Sequence, residues 1–318
     1  MTQPLDRRSL LAALGSVGAA TSLGAACSRP LTVPTAGTGP EAALGRITLL
    51  HTNDTHSRVE PFGPGNGNLS GRGGMARRST MVKELRKAIP NVLLLDAGDT
   101  FQGTPYFNLY KGRLDYKLMS LLGYDAGTLG NHDFDNGVDS LLEAMQEAKF
   151  DFVNCNFDCK DAPALQKRLR PYVIKEFPGI RVGITGVGVA FKGLVAPYNH
   201  KGVSWIDPDK ALRPVVAHLR DKERVDLVVL LSHLGYDEKG AGFDDLTLPK
   251  LVPGIDAIIG GHSHTFLEQP VKVAQERGET LIFQVGFAGV NLGRMDFVTS
   301  KGEVKAAGGF AVPVVHPA

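Results

Sequence analysis

The chain has few cysteines and almost no tryptophan, and it lacks any block of like charges. Among its 318 residues, 3 are cysteine and 1 is tryptophan, and the formal net charge is +2. Proteins that bind nucleic acid mainly through phosphate contacts need a basic surface, so this charge pattern argues against that class. We therefore expect no nucleic-acid binding.

The three cysteines do not form a recognisable metal motif. Cys155 and Cys159 are four residues apart, a spacing that is not that of a zinc knuckle, and no second pair exists. Outside the cytoplasm the two could form a disulfide. The favoured interpretation is that both stay reduced, with Cys155 a small buried hydrophobe at a strand end.

The amino-terminal segment is too rich in glycine and alanine to be a good membrane span. Arg7 and Arg8 precede an apolar run at residues 11–26. A charged start followed by such a run is typical of an export signal, and the arginine pair before Ser-Leu-Leu resembles a twin-arginine signal. We predict an export signal at residues 1–26 and a periplasmic or membrane-anchored location in a bacterium.

Cys27 follows small residues directly after this run, which suggests that lipid is attached to it as a new amino terminus. Ordinary cleavage near Ala26 is the alternative. Residues 27–45 are rich in proline, glycine, threonine and alanine, which predicts a flexible tether.

The remaining residues, 46–318, alternate apolar β-rich runs with helical periodicity. Predicted strands lie at 46–51, 91–95, 125–128, 150–154, 226–231 and 255–259, and predicted helices at 75–88, 114–122, 138–148 and 211–220. Segments 173–177 and 181–187 should pair around a Pro-Gly turn, and 280–285, 293–298 and 304–312 should be mostly antiparallel. The pattern predicts one layered α/β domain, without internal repeats or an inter-domain linker.

Five short polar motifs stand out, four of them directly after a predicted strand. They lie at residues 54–56, 98–103, 130–135, 232–233 and 261–264. In α/β folds functional groups collect on loops beyond the carboxyl ends of strands, so we expect these motifs to lie together. A single Asp or His at such a place is more often a cap or a turn residue, and it is the combination that points to a site.

The motifs supply the ligands that zinc, manganese or iron prefers, namely imidazole, carboxylate and amide oxygen. Asp54 and His56 are two residues apart and face one side of an extended segment, as do His262 and His264. The candidates outnumber the ligands of one tetrahedral metal and suit two divalent ions about 3.5–4 Å apart that share a carboxylate. The candidate ligands are Asp54, His56, Asp99, Asn131, His233, His262 and His264.

The ordered motifs Asp-x-His, Gly-Asp-x-x-x-Gly, Gly-Asn-His-Asp, Ser-His and Gly-His-Ser-His resemble those of the calcineurin-like metallophosphoesterases. Residues 50–56, 74–80 and 130–137 are similar to the catalytic domain of bacterial 5'-nucleotidases and their 2',3'-cyclic phosphodiesterase relatives. The resemblance covers nearly all of residues 46–316. It implies a four-layer α/β/β/α sandwich with a dimetal site on loops at the strand ends.

The resemblance also distributes the ligands between two ions. It assigns to one metal Asp54, His56, Asp99 and His264. It assigns to the other Asp99, Asn131, His233 and His262, so that Asp99 bridges the two. It further pairs His132 with Asp135, and a three-residue offset within a turn independently brings two such side chains together.

A mechanism follows from these charges. Two dications lower the pKa of a bridging water, which supplies a hydroxide nucleophile, and they neutralise phosphate charge. We expect that Asn131 can both ligate metal and reach a phosphate oxygen, that His132 gives the leaving alkoxide its proton as general acid, and that Asp135 orients the imidazole. We predict an exported dimetal phosphohydrolase of phosphate monoesters, with 5'-nucleotides as the favoured substrates.

Two alternatives remain open. The resemblance implies a second, base-binding domain in full-length 5'-nucleotidases, and we expect this chain, which ends at Ala318, not to include one. The enzyme could be a 2',3'-cyclic phosphodiesterase or a broad phosphoesterase. It could instead be a lipid-anchored subunit, active only with a separate protein that supplies the specificity domain.

Four other polar residues receive structural interpretations. We expect His51 to pack at a strand end beneath the site and His218 to be solvated on its helix. Arg77 should brace the loop that precedes its helix. Asp133, although it adjoins His132, should at most support the site from outside.

Overall fold

A computed structural model describes residues 44–240 and 242–316. The predicted export signal at 1–26 and Cys27 lie outside the described residues. Of the predicted tether at 27–45, only Leu44 and Gly45 are described, and Gly45 already belongs to the first strand. The described part of the chain contains no helix with both the length and the hydrophobicity needed to cross a membrane.

The first sheet has seven strands and carries most of the predicted motifs. Strands β1, β2, β3, β4 and β6 are parallel, with β6 at one edge, while β14 and β15 extend the sheet in antiparallel fashion on the other side of β1. In sheet order the strands are β15 (Glu303–Pro313), β14 (Asn291–Ser300), β1 (Gly45–Thr52), β2 (Val92–Asp96), β3 (Ala126–Gly127), β4 (Asp151–Val153) and β6 (Leu169–Arg170).

The second sheet has six strands and is parallel at its centre. In sheet order they are β12 (Val271–Gln275), β13 (Gly278–Phe283), β11 (Ala257–Gly260), β10 (Leu227–His233), β8 (Ile180–Gly188) and β7 (Tyr172–Phe177). Strands β5 (Phe157–Asp158) and β9 (Ser204–Trp205) form a separate antiparallel pair.

Strand β13 corrects one expectation of the sequence. The segment at 280–285 was expected to join an antiparallel set, but β13 runs parallel to β11. The reason is the unpredicted strand β12, which reverses the chain before β13 and pairs with it antiparallel. The predicted hairpin around Pro178 is present, because Phe177 of β7 pairs with Ile180 of β8.

The helices cover the outer faces of the two sheets. They are α1 (Met75–Ala88), α2 (Pro105–Tyr110), α3 (Arg113–Leu122), α4 (Gly137–Met145), α5 (Pro163–Gln166), α6 (Pro208–Asp221) and α7 (Leu248–Leu251). Two 3-10 turns lie at Gly67–Leu69 and His132–Phe134. Helix α6 starts before the predicted 211 because Pro208 opens it, a position that tolerates proline.

The side chains of the central strands alternate between two cores. Leu49 and Leu93 pack between the sheets with Val229 of the second sheet. Their neighbours Leu50 and Leu94 point the other way, into the core beneath α1, α3 and α4. A third core lies between the second sheet and helices α6 and α7. Strands buried on both faces read as continuous apolar runs, and the resulting order of helix, sheet, sheet and helix confirms the predicted four-layer sandwich.

Cys155 and Cys159 are both unpaired thiols. Burial raises the pKa of Cys155 to about 12 and that of Cys159 to about 11. Both groups are therefore neutral at physiological pH and have little thiolate character.

Candidate metal centre and active site

The loops after β1 and β2 run side by side beyond the ends of their strands. The backbone N–H of Asp54 donates to the carbonyl of Gly98 at 2.9 Å, and that of His56 donates to the carbonyl of Asp99 at 3.1 Å. This pairing places the first two predicted motifs next to each other at the carboxyl edge of the first sheet.

Several predicted ligands have strained backbones. Residues with φ between +48° and +76° include Asp54, His56, Asp99, His262 and His264. Residues with a Cβ rarely adopt a positive φ. Where they do, the surrounding structure holds the backbone in this conformation, typically at functional sites. Five of the seven candidate ligands therefore lie in sparsely populated conformations.

The folded chain gathers six of the candidates into two groups of three. Asp54, His56 and His264 form one, and Asp99, His233 and His262 form the other. Within each group the ligand atoms lie within 4.8 Å of one another. Side chains as far apart in sequence as His56 and His264, which are separated by 208 positions, meet because the loops of both sheets converge at one edge.

In the first group, backbone contacts fix the ring of His56. Its Nδ1 donates to the carbonyl of Phe101 at 3.0 Å, which leaves the Nε2 lone pair directed into the site. The Nε2 atoms of His56 and His264 are 2.9 Å apart. Two imidazole nitrogens at this distance need a proton or a cation between them, so the pair fits a metal ion.

The second group is oriented in the same way. His233 is completely buried, and its Nδ1 donates to the carbonyl of Ala97 at 2.7 Å. Its Nε2 lies 3.1 Å from Oδ2 of Asp99. Metal-binding histidines commonly have the second ring nitrogen held by a carbonyl, because this fixes the tautomer.

The buried side-chain oxygen Oδ1 of Asn131, near these groups, lacks a hydrogen-bond partner in the described part of the chain. An unpartnered buried acceptor is costly, and an amide oxygen can donate a lone pair to a divalent ion. The two groups and this oxygen therefore fit two divalent cations.

Asp54 lies between the groups. Its Oδ1 is 3.4 Å from Nε2 of His264 and 4.0 Å from Nε2 of His233. The backbone N–H of His262 donates to both of its carboxylate oxygens. The bridging role of Asp99 remains a prediction, since the geometry groups Asp99 with His233 and His262.

Gly130 leaves the space that this arrangement needs. A Cβ at this position would lie 2.2 Å from Oδ1 of Asp99 and 2.5 Å from Nε2 of His233. Any side chain would displace two candidate ligands, so glycine is required here by close packing.

His132 and Asp135 form a pair beside the metal centre. Nδ1 of His132 lies 2.8 Å from Oδ2 of Asp135. The hydrogen bond with Asp135 raises the pKa of His132 above its usual value. The ring of His132 is half-buried, with 35% of the side chain exposed, so it is accessible to a substrate.

The electrostatics of the ligands reflect burial and mutual attraction. Burial lowers the pKa of His262 to about 4 and also lowers that of His56. Burial also opposes the charge on His233, but the attraction of Asp99 outweighs it and raises the pKa of His233 to about 10. Burial opposes the charge on Asp99 as well, but the same attraction holds the pKa of Asp99 well below its usual range.

Asp133 supports the site from beneath, as predicted, and does so through the backbone. Its carboxylate accepts N–H groups from Asp99, Thr100, Phe101 and Gly130 at 2.8–3.3 Å. It thereby ties the loop after β2 to the loop after β3. No sequence motif indicated this particular role.

A pocket of about 230 Å³ opens in front of the centre. Its walls include His56, His132 and His264 together with two residues that the sequence did not single out, Gln102 and Phe287. The Phe287 ring stacks on His264 at 5.1 Å between centroids. Gln102 lies within a predicted motif, whereas Phe287 follows no recognisable pattern.

Three residues with structural interpretations behave as expected. His51 is completely buried against Phe283, and burial lowers its pKa to about 3. Arg77 donates to the carbonyl of Gly71 in the preceding loop. His218 is on α6 with 45% of its side chain exposed, near Glu223.

Comparison with known proteins places this architecture in a family. The profile of the calcineurin-like phosphoesterases matches residues 47–266. The chain belongs to the calcineurin-like phosphoesterase family. The family-level prediction from the sequence motifs is therefore confirmed.

Relatives of this calcineurin-like phosphoesterase include the 5'-nucleotidase of Rattus norvegicus, which is 37% identical over 238 residues, covering 72% of this chain and 39% of that protein. The trifunctional nucleotide phosphoesterase protein YfkN of Bacillus subtilis is 29% identical, covering 81% of this chain and 18% of that protein. The solved structure of a 5'-nucleotidase precursor from Thermus thermophilus aligns with a TM-score of 0.78 and 35% identity, covering 85% of this chain and 54% of that one. The chain thus spans about two fifths of the length of the curated 5'-nucleotidases that it matches.

Proposed function

We propose that this protein hydrolyses phosphate monoesters with two divalent metal ions and that 5'-nucleotides are its favoured substrates. The observation that carries the proposal is the pair of three-ligand groups beside His132 and Asp135, at the mouth of one pocket. The similarity to proteins named 5'-nucleotidase supports the substrate class.

We assign the predicted ligands to the two ions according to the two three-ligand groups. Asp54, His56 and His264 would hold one ion. Asp99, His233 and His262, with the amide oxygen of Asn131, would hold the other. When bound, two such ions activate a water as nucleophile and neutralise phosphate charge, whether they are zinc, manganese or iron.

His132 would act as general acid. Its Nδ1 is held by Asp135, a contact that favours the protonated imidazole, and its partly exposed ring faces the pocket. It can therefore give a proton to the leaving oxygen of the ester, while Asp135 stabilises the imidazolium. Asn131, next to it in sequence, would position a phosphate oxygen.

Recognition of the nucleoside is a separate question, because the chain spans a minority of its curated relatives' length. We propose two possibilities that differ in outcome. Either a separate protein supplies a specificity domain over the pocket, or the enzyme accepts phosphate esters broadly. The similarity to a protein named trifunctional nucleotide phosphoesterase favours the second, and cyclic diesters are the alternative substrates within it.

We also propose that the protein is exported, and that Cys27 carries a lipid that anchors it at the membrane. The support is the sequence of residues 1–27 alone. Cell fractionation of a Cys27→Ser variant tests the anchor. Release of active protein from the membrane fraction is expected, and unchanged membrane association would contradict lipidation.

Metal-dependent hydrolysis is the direct test of the activity. The purified chain would be reconstituted with Mn²⁺ or Zn²⁺ and assayed with 5'-AMP, 2',3'-cyclic AMP and p-nitrophenyl phosphate. Strong turnover of 5'-AMP would support nucleotide recognition by this chain alone. Turnover of p-nitrophenyl phosphate alone would assign specificity to a partner, and preference for the cyclic diester would favour the diesterase alternative. No turnover with two metals bound would contradict the proposal.

A further inference from the structure

A second cavity, of about 320 Å³, opens at the opposite edge of the first sheet. Asp125 directly precedes β3 and Asp151 begins β4, so the cavity lies at the amino ends of strands whose carboxyl ends face the metal centre. Arg170 of β6 and Lys175 of β7 contribute from the outermost strands of the two sheets on this side. None of its lining residues belongs to the metal centre.

The cavity is strongly cationic. Its lining includes two carboxylates, Asp125 and Asp151, against five basic side chains. The basic side chains are Lys149, Lys167, Arg168, Arg170 and Lys175. This excess of positive charge in a small concavity creates a field that attracts anions.

The two carboxylates are already paired. Asp125 binds Arg86 at 2.9 Å and accepts the backbone N–H of Leu94 at 2.8 Å. Asp151 binds Lys175 at 2.9 Å and also pairs with Arg170 at 3.6 Å. These acids therefore cannot also neutralise the remaining cations of the cavity.

Three cations consequently lack a countercharge. Lys149 and Lys167 form no ion pair in the described part of the chain. The guanidinium of Arg168 donates to the carbonyl of Met145 at 2.6 Å, a contact that leaves its charge uncompensated. All three residues are exposed, so an anion can reach their charges from solution and would neutralise part of them.

Protection of sheet edges explains only part of this pattern. Basic side chains on outer strands discourage pairing with other chains, which accounts for Arg170 and Lys175. Lys149 and Lys167 lie outside the strands, in the segments that precede β4 and β6. Edge protection does not require these two lysines to converge on a cavity.

We propose that this cavity binds an anion bearing a phosphate group. An arginine fork and lysine ammonium groups are the side chains that recognise phosphate oxygens, and the volume suits a small ligand. The phosphate can be free in solution or belong to an anionic lipid headgroup, since the lining recognises the same chemistry in both. The proposal is independent of the function proposed for the metal centre.

Equilibrium dialysis with radiolabelled inorganic phosphate tests the site on the metal-loaded chain. Lys149→Gln/Lys167→Gln removes two cations from the cavity. Lys83→Gln/Lys250→Gln is the matched control, because it removes the same charge from two exposed lysines outside it. Asp99→Asn disables the metal centre and leaves the cavity intact.

We expect two phosphates per chain in the wild type and in the control variant. In Lys149→Gln/Lys167→Gln one of the two affinities should fall by at least about tenfold, since each charged hydrogen bond to phosphate contributes measurably. Asp99→Asn should lose only the other phosphate. If Asp99→Asn bound as the wild type does, the metal-centre proposal would fail while the cavity proposal stood.

Sedimentation with vesicles distinguishes the source of the phosphate, with every protein carrying Cys27→Ser so that a lipid at Cys27 cannot itself bind the vesicles. Phosphatidylglycerol vesicles would be compared with phosphatidylcholine vesicles. If the ligand is a lipid headgroup, the wild type and the control variant should sediment with the anionic vesicles, and the cavity variant should remain in solution. The proposal is overturned if the cavity and control variants behave alike toward both free phosphate and anionic vesicles.

Discussion

One substitution can test the proposed role of His132 as general acid separately from the candidate metal ligands. The His132 ring belongs to neither three-ligand group, so His132→Asn should retain both metals. Loss of a general acid should slow alkyl phosphates by roughly 10²–10⁴-fold. An aryl phosphate should suffer less, because its leaving group departs without a proton. Turnover of both substrates, together with metal content, checks this prediction.

One control variant sharpens that measurement. Asp135→Asn should preserve the ring but weaken its orientation, with a smaller loss in the same substrate order. Equal losses on alkyl and aryl phosphates in His132→Asn, at full metal content, would contradict the assignment of the acid.

A single methyl group at Gly130 should disrupt the centre. In Gly130→Ala the new Cβ would lie 2.2 Å from Asp99 and 2.5 Å from His233, too close for either side chain to keep its place. We expect loss of metal binding and a fall in activity of at least about 100-fold. Gly63→Ala is the control, because a Cβ there meets nothing within 4 Å. Full metal content in Gly130→Ala would show that the packing is less tight than described.

At the level of the elements, helix α3 carries a buried acid towards the loop after β1. Asp115, in its first turn, accepts a hydrogen bond from Ser57 at 3.1 Å. Burial raises the pKa of Asp115 to about 7. The folded state therefore binds a proton on the Asp115 carboxyl more tightly than the unfolded chain does, since an unperturbed Asp carboxyl titrates at about pH 4.

The consequence is a predictable dependence of stability on pH. The contribution of Asp115 to the free energy of unfolding is fully present below about pH 4. It declines as the pH rises to about 7, by at most about 1.4 kcal/mol per pH unit. The Asn side chain of Asp115→Asn cannot ionise. The free energy of unfolding of this variant should therefore rise relative to that of the wild type as the pH increases from about 4 to about 7. Urea unfolding at about pH 4, 6 and 8 measures the difference, and parallel pH profiles would refute it.

At the scale of the whole molecule, the candidate metal centre combines side chains from the two sheets. Asp54 and Asp99 come from loops of the first sheet, and His233, His262 and His264 come from the end of β10 and the loop after β11 in the second. Ions bound only by the folded state should stabilise it by about 3 kcal/mol at roughly 100 times the dissociation constant. Chelation should therefore lower the melting temperature by roughly 5–10 °C.

Calorimetry with and without a chelator checks this prediction. Asp99→Asn, which removes a ligand from the second group, should show a smaller response to added metal. An unchanged melting temperature after demonstrated loss of both metals would mean that the ions do not hold the sheets together.

Much of the fold could be predicted because its signals are local. Helix α1 has its predicted bounds, and the apolar runs of β1, β2 and β10 lie where expected, since period and breaker residues act within a few positions. Strand β12 was missed because it has no buried residue and so lacks a continuous apolar run, and helix α2 was missed because six residues carry too weak a helical pattern. The parallel direction of β13 depends on β12 and could not be read without it.

The sequence by itself determined which side chains are candidates for the chemistry, because residue type and motif order are local properties. Only the tertiary structure decided which ligands form each group, that Asp54 lies between the groups, and that Asp133 joins two loops. It alone placed Phe287 over His264 and brought Lys149 and Lys167 into one basic cavity. These are contacts between segments far apart in the chain. Sheet order and loop convergence create them, and no local pattern encodes either.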